Sequence, residues 1–262
     1  MKWFRLSTMT AAAITALVSV QAVAQNEREL LAPTSRLRVG VYLGSPLSMV
    51  HDSATGEARG LSVDLGKELA NRLGVPFEQV TYQRIAEVLA AMKAGDVDFT
   101  ISNATPARAT DVAFSQTLLS LELGYLVPAT SSVKTLADVN KSGVRVGVTK
   151  GSTSERTLPK ILASASVVPA ENLKQAIDLL ARGELDAFAT NKPILFEMLG
   201  SMPGGRVLDG NWGQEHIAIA IPKGRDKGME YVRHFVDDVQ ANGTLAQAVS
   251  RAGLRGVLEV RN

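Results

Sequence analysis

Val88 to Asn103 (VLAAMKAGDVDFTISN) and Ala176 to Asn191 (AIDLLARGELDAFATN) carry one pattern twice. In each, apolar residues at helical spacing run into a glycine, an acidic residue and a short apolar strand that ends in asparagine. Gly95 falls on Gly183, Asp96 on Glu184, Asp98 on Asp186 and Asn103 on Asn191. Upstream of each copy lies a second matched pair, Leu37 to Val41 (LRVGV) and Val144 to Val148 (VRVGV). Two echoes in the same order predict two similar lobes.

Around the first copy the spacing predicts a helix over Leu61–Leu73 closed by Gly74, a strand over Phe77–Tyr82, a helix over Ile85–Met92 and a strand over Val97–Ile101. With Leu37–Val41 this is βαβαβ, the order that builds a parallel sheet covered by helices. Leu121–Ala129 (LELGYLVPA) and His216–Lys223 (HIAIAIPK) read as strands that leave the first lobe and return to it. Amphipathic helices over Met229–Gln240 and Leu245–Ala252 have no lobe of their own and should pack on the first. The expectation is an α/β chain of two Rossmann-like lobes joined by a two-strand hinge over a cleft. Lobe 1 would comprise 37–126 and 220–262, lobe 2 would be 127–219, and 25–36 would be an N-terminal extension.

Lys2 and Arg5, the apolar run Met9–Val20 and the small-x-small Ala22-Val23-Ala24 have the layout of a cleavable secretory signal over residues 1–24. Its removal takes two of the 28 basic residues and leaves them balanced against 26 acidic ones. A neutral chain without blocks of like charge gives no electrostatic reason to bind nucleic acid or an anionic membrane. Without cysteine, an exported chain relies on its packed core, and no lipid-anchor cysteine follows the signal. The expected location is the periplasm, as a free monomer. No Gly-x-Gly-x-x-Gly, phosphate loop or Gly-x-Ser-x-Gly is present, and His51, His216 and His234 lack metal-ligand spacing. No cofactor, metal or catalytic residue is therefore expected.

Ligands of open α/β sheets sit beyond the carboxyl ends of strands. At one such end lies Ser102-Asn103-Ala104-Thr105-Pro106-Ala107-Arg108. Thr105 suits an N-cap and Pro106 the first helical position, so Arg108 would sit in a first helical turn, where a bound anion offsets its clash with the helix dipole. At the other lies Gly151-Ser152-Thr153-Ser154-Glu155, with capping-box spacing between Ser152 and Glu155 and free N–H groups for an anion. Either feature could be a plain surface arginine or a plain cap. Together, one per lobe, they could clamp a carboxylate.

These landmarks resemble the family 3 periplasmic solute-binding proteins for amino acids, which have the type II periplasmic binding fold. The similarity spans about Leu37 to Arg251, through Gly60-Leu61-Ser62-Val63-Asp64-Leu65, Lys93-Ala94-Gly95-Asp96-Val97-Asp98, Thr105-Pro106-Ala107-Arg108, Phe114-Ser115, Leu136-Ala137-Asp138, Val146-Gly147-Val148 and Gly151-Ser152-Thr153. The resemblance implies that Arg108 holds a ligand α-carboxylate and that Ser152 and Thr153 assist from the other lobe. It implies an inner-membrane ABC permease as partner and a small carboxylate or amino-acid-like solute. The chain departs from the family pattern in three places. The segment between Asp98 and Arg108 is about two residues short, leaving open which of Ser102, Asn103 and Thr105 faces the ligand. The usual covering aromatic is represented only by Tyr42. Asn191 stands where an aspartate usually pairs with the α-ammonium. Either another carboxylate, with Glu215 a candidate, does that pairing, or the ligand lacks a free ammonium; Asn191 also suits a cap for the helix at Lys192-Pro193. Arg84, His216 and Trp212 could also reach the cleft. The alternatives to transport are a cyclohexadienyl (prephenate or arogenate) dehydratase-like enzyme and a metabolite-sensing accessory protein.

Overall fold

The computed structural model describes residues 27–52 and 55–258; the expected signal, residues 1–24, lies outside them. After a helical turn at 27–31 (α1), the first lobe opens with β1 (Leu37–Tyr42), the short pair β2 (Val50–His51) and β3 (Ala58–Arg59), α2 (Leu61–Leu73), β4 (Phe77–Tyr82), α3 (Ile85–Ala94) and β5 (Thr100–Asn103). β1 runs parallel to β4, with Leu37 opposite Phe77. It reaches the next strand through a parallel bridge from Val39 to Phe99. The third strand was expected over Val97–Ile101 but its ladder starts at Thr100. The reason is Asp98, whose N–H donates to the Arg38 carbonyl and whose carboxylate is drawn to the Arg38 side chain, so this stretch serves as a brace before the ladder begins.

β6 (Val112–Val127) then runs through both lobes. Sequence reading expected only its second half, because Ser115, Gln116 and Thr117 interrupt the apolar pattern. Ser115 is placed there to satisfy an irregularity: its hydroxyl accepts the Ile219 N–H at 3.1 Å, where the register of the partner strand shifts. The second lobe contains α4 (Leu136–Val139), β7 (Arg145–Thr149), α5 (Thr153–Ile161), β8 (Ser166–Ala170), α6 (Leu173–Ala181), β9 (Ala187–Asn191), α7 (Lys192–Leu199) and β10 (Arg206–Val207). β7 pairs in parallel with β8 and β9, and β9 pairs antiparallel with β6. β11 (Gly213–Pro222) returns along β6 and finishes beside β5, with Asn103 opposite Ile217. The central sheet therefore has the order β5-β11-β6-β9-β7-β8. α8 (Asp226–Ala241), α9 (Thr244–Ala252) and β12 (Val257–Leu258) complete the chain. Met229, Phe235, Val239 and Leu245 of these helices join the core of Leu37, Val39, Leu65 and Phe99.

The sequence echoes are structural. In the first lobe Arg38 donates to Asp98 from Nε (2.8 Å) and Nη2 (2.9 Å) and to the Gly95 carbonyl (2.6 Å). In the second, Arg145 donates to Asp186 from Nε (2.9 Å) and Nη2 (3.0 Å) and to the Gly183 carbonyl (2.5 Å). Gly95 and Gly183 have φ of 86° and 67°, the left-handed turn in which glycine avoids a Cβ clash. Gly40 and Gly147 match as well. A Cβ on Gly40 would lie 2.8 Å from Val97 and one on Gly147 2.5 Å from the equivalent Leu185, so in each lobe the helix–strand connection packs directly on strand backbone. Among the described residues no helix is long and apolar enough to cross a membrane.

Candidate functional site

A cleft of about 50 Å³ lies between the lobes at the carboxyl ends of β1, β5, β7 and β9. Much of its wall is again made of equivalent positions. Tyr42 faces Thr149, each at the end of the matched first strand. Ile85 and Leu173 begin equivalent helices, Ser102 and Thr190 lie near the ends of equivalent strands, and Asn103 and Asn191 end them. Leu47, Ile101, Ile194 and Ile217 add apolar surface. Three features have no counterpart across the cleft: Arg108, the start of α5, and Glu215 on β11.

Arg108 is 8% exposed. The helix expected to begin at Thr105 is one 3-10 turn, Arg108–Thr110, so no helix dipole opposes the guanidinium. Its side chain folds back, with Nη1 donating to Ser102 Oγ at 2.8 Å and to the Asn103 carbonyl at 3.2 Å. Nε is buried without a partner, and no described carboxylate forms an ion pair with this residue. Burial pushes its pKa down, while the charge of Glu215 pushes it up. A buried cation held only by neutral groups lacks an anion. Thr105, in contrast, spends its hydroxyl on the Arg108 N–H (3.2 Å) and does not line the cleft, which corrects its placement at the ligand.

The facing wall is the N-terminus of α5. Ser152 Oγ accepts the Glu155 N–H at 3.1 Å, while the Glu155 carboxylate accepts from Gly151 N at 2.6 Å, one residue outside the usual capping box. Ser152, Thr153 and Ser154 at this helix start line the cleft, and first-turn amides without an intrahelical acceptor are a neutral donor set for an anion.

Glu215 forms the floor. It is buried, and Asn103 Nδ2 donates to its Oε1 (3.2 Å) while Asn191 Nδ2 donates to its Oε2 (2.9 Å). The echoed asparagines, one per lobe, thus hold one carboxylate on the strand between them. Asn191 also caps α7, its Oδ1 accepting the Ile194 N–H at 3.3 Å. Burial pushes the Glu215 pKa up; the two amides and Arg108 pull against that. Burial likewise raises the Tyr42 phenol.

Arg84, His216 and Trp212 do not line the cleft. Arg84 bridges its rim to Glu171 of the other lobe at 3.2 Å. His216 is exposed beside Ser120, and Trp212 donates to the Gly124 carbonyl and packs on Tyr125. With the bridge from Asn103 Nδ2 to Thr153 Oγ1 at 3.4 Å, the rim contact makes this a closed arrangement. Ile85, Leu173, Thr149 and Thr190 were not singled out from the sequence. Carrying the echo three residues upstream pairs Ile85 with Leu173, and its own alignment pairs Ser102 with Thr190.

Two α/β lobes closing on a buried, anion-seeking site define a hinged solute-binding protein. Residues 37–253 match the model of the bacterial extracellular solute-binding proteins, family 3, and the chain belongs to that family. It is 27% identical over 202 residues to the glutamine-binding protein of Geobacillus stearothermophilus, covering 76% of this chain and 77% of that one. Among solved structures it resembles an ancestral arginine-binding protein bound to glutamine (26% identity, TM-score 0.73, 82% and 96% of the two chains). It also resembles an ancestral amino acid-binding protein described as a precursor of cyclohexadienyl dehydratase (27% identity, TM-score 0.72, 83% and 95%).

Proposed function

We propose that this protein is the periplasmic binding component of an ABC importer and that it captures an amino acid or related small carboxylate between its lobes. The observation that carries this reading is the buried, unpaired guanidinium of Arg108 facing the N-terminus of α5 across the cleft. A carboxylate there receives a charge-assisted bond from one lobe and backbone donors from the other. Only the closed form offers both sets, so solute binding draws the lobe that carries α5 down onto the lobe that carries Arg108, and the closed surface is what the permease reads. We read the role as capture and not turnover, in line with relatives named as glutamine-binding proteins. A micromolar dissociation constant, about −8 kcal/mol, suits scavenging.

The test is Arg108→Ala with calorimetry against an amino-acid panel. Binding should fall by at least about 100-fold, the cost of stripping one partner from a buried charge pair, with the melting temperature kept within a few degrees. Unchanged affinity would refute the carboxylate seat. Product formation from prephenate by the wild-type protein would replace capture with catalysis.

A further inference from the structure

The cleft holds a second charge that the carboxylate seat leaves unanswered. Glu215 and Arg108 feel one another's field, yet they form no ion pair and both are buried. We propose that Glu215 is the cation-binding residue of this cleft and that the solute is a zwitterionic α-amino acid with a short, uncharged side chain. This rests on the reading that Arg108 holds a carboxylate.

The two asparagines cannot neutralise an ammonium in place of Glu215, and each has an Oδ1 lone pair already engaged. Asn103 Oδ1 accepts the His216 N–H at 3.2 Å, and Asn191 Oδ1 accepts the Ile194 N–H at 3.3 Å. Both amides are thereby oriented with their NH2 groups toward Glu215, where they act as donors. An ionised carboxylate has about four acceptor positions, and the asparagines fill two. The remaining lone pairs belong to a negative group with no cation bonded to it. An ammonium supplies both the missing donors and the missing charge, whereas a simple carboxylic acid would add a second anion to a site that already has one.

The side-chain class follows from what else lines the cleft. Among the described residues, no charged residue beyond Arg108 and Glu215 does so. Ile85 and Leu173 line it from opposite lobes, and Ile194 and Ile217 add further apolar wall. A second guanidinium, ammonium or carboxylate on the solute would be buried without a partner, at a cost of several kcal/mol. The enclosed space is small, about 50 Å³. That favours a short side chain over a long one.

The test is titration calorimetry of wild type, Glu215→Gln, Glu215→Asp and Arg108→Ala with L-2-aminobutyrate, butyrate, L-arginine and L-glutamate. Wild type should bind L-2-aminobutyrate at least about 100-fold more tightly than butyrate, the worth of a buried charge pair, and more tightly than either charged amino acid. Glu215→Gln should lose about that factor for L-2-aminobutyrate, so that the two ligands differ by only a few fold. Glu215→Asp should restore part of the preference, which a purely structural glutamate would not. Butyrate binding as well as L-2-aminobutyrate, no binding of L-2-aminobutyrate, full affinity in Glu215→Gln, or preference for L-arginine or L-glutamate would each overturn the proposal. The Arg108→Ala arm separates the two readings. If it abolishes binding while Glu215→Gln does not, only the ammonium site fails; if it leaves binding intact, the carboxylate seat fails first.

Discussion

The two lobes are built on the same brace and differ in how deeply it is buried. Arg38–Asp98 and Arg145–Asp186 share every contact, down to the glycine carbonyl. Yet Asp98 is fully buried and takes a further ion pair from Arg225 at 3.0 Å, whereas the Asp186 side chain is 30% exposed. Arg225 precedes α8, so the layer that covers the first lobe also reinforces its brace. The cleft repeats the lesson. Equivalent residues from both lobes supply its neutral shell, and the charges come from places without a counterpart: the turn after β5 and the crossing strand β11. Duplication built the container, and departures from it placed the chemistry.

Removing each brace separates these effects. Asp98→Ala strands Arg38 and Arg225 near the core and should cost about 3–5 kcal/mol, the penalty for breaking a buried pair. Asp186→Ala should cost about 1 kcal/mol or less, since its pair is half in water. Denaturant midpoints measure both, and equal losses would break the comparison. Ser152→Ala removes the cap of α5 and should cost about 1 kcal/mol. It should also weaken solute binding several-fold by loosening the donor set, an effect that titration of the variant reads directly. The smallest effect belongs to the rim. Arg84→Ala removes a partly exposed contact between closed lobes, worth about 0–1 kcal/mol. Affinity should fall by no more than about fivefold, and the difference from wild type should shrink in high salt.

Local rules made much of the scaffold legible. The 3.6-residue period placed α2 at its observed limits, and alternating burial placed β4 at its own. Left-handed glycines marked where helices turn into strands. β6 was only half legible because its polar residues serve a register shift made by another strand. Arg108 was legible as a candidate anion partner through its motif and its resemblance to a family, and the structure buries it in the cleft. The helix drawn around it was not, and Thr105 proved to serve backbone. Glu215 carried a signal in its parity: it shares the inward face of β11 with Ile217, Ile219 and Ile221, where a charge is out of place. Its two asparagine partners lie 112 and 24 residues away, and no local pattern reports that meeting.

The amino-acid order alone determined the duplicated α/β units and the turn glycines, because each depends on residues close in sequence and on backbone sterics that act wherever they occur. Which side chains converge on the cleft was decided only by the tertiary structure. Arg108, the start of α5 and Glu215 belong to segments far apart in the chain. Their separations in space are set by how the lobes cross β6 and β11 and close, and that arrangement is a property of long-range packing.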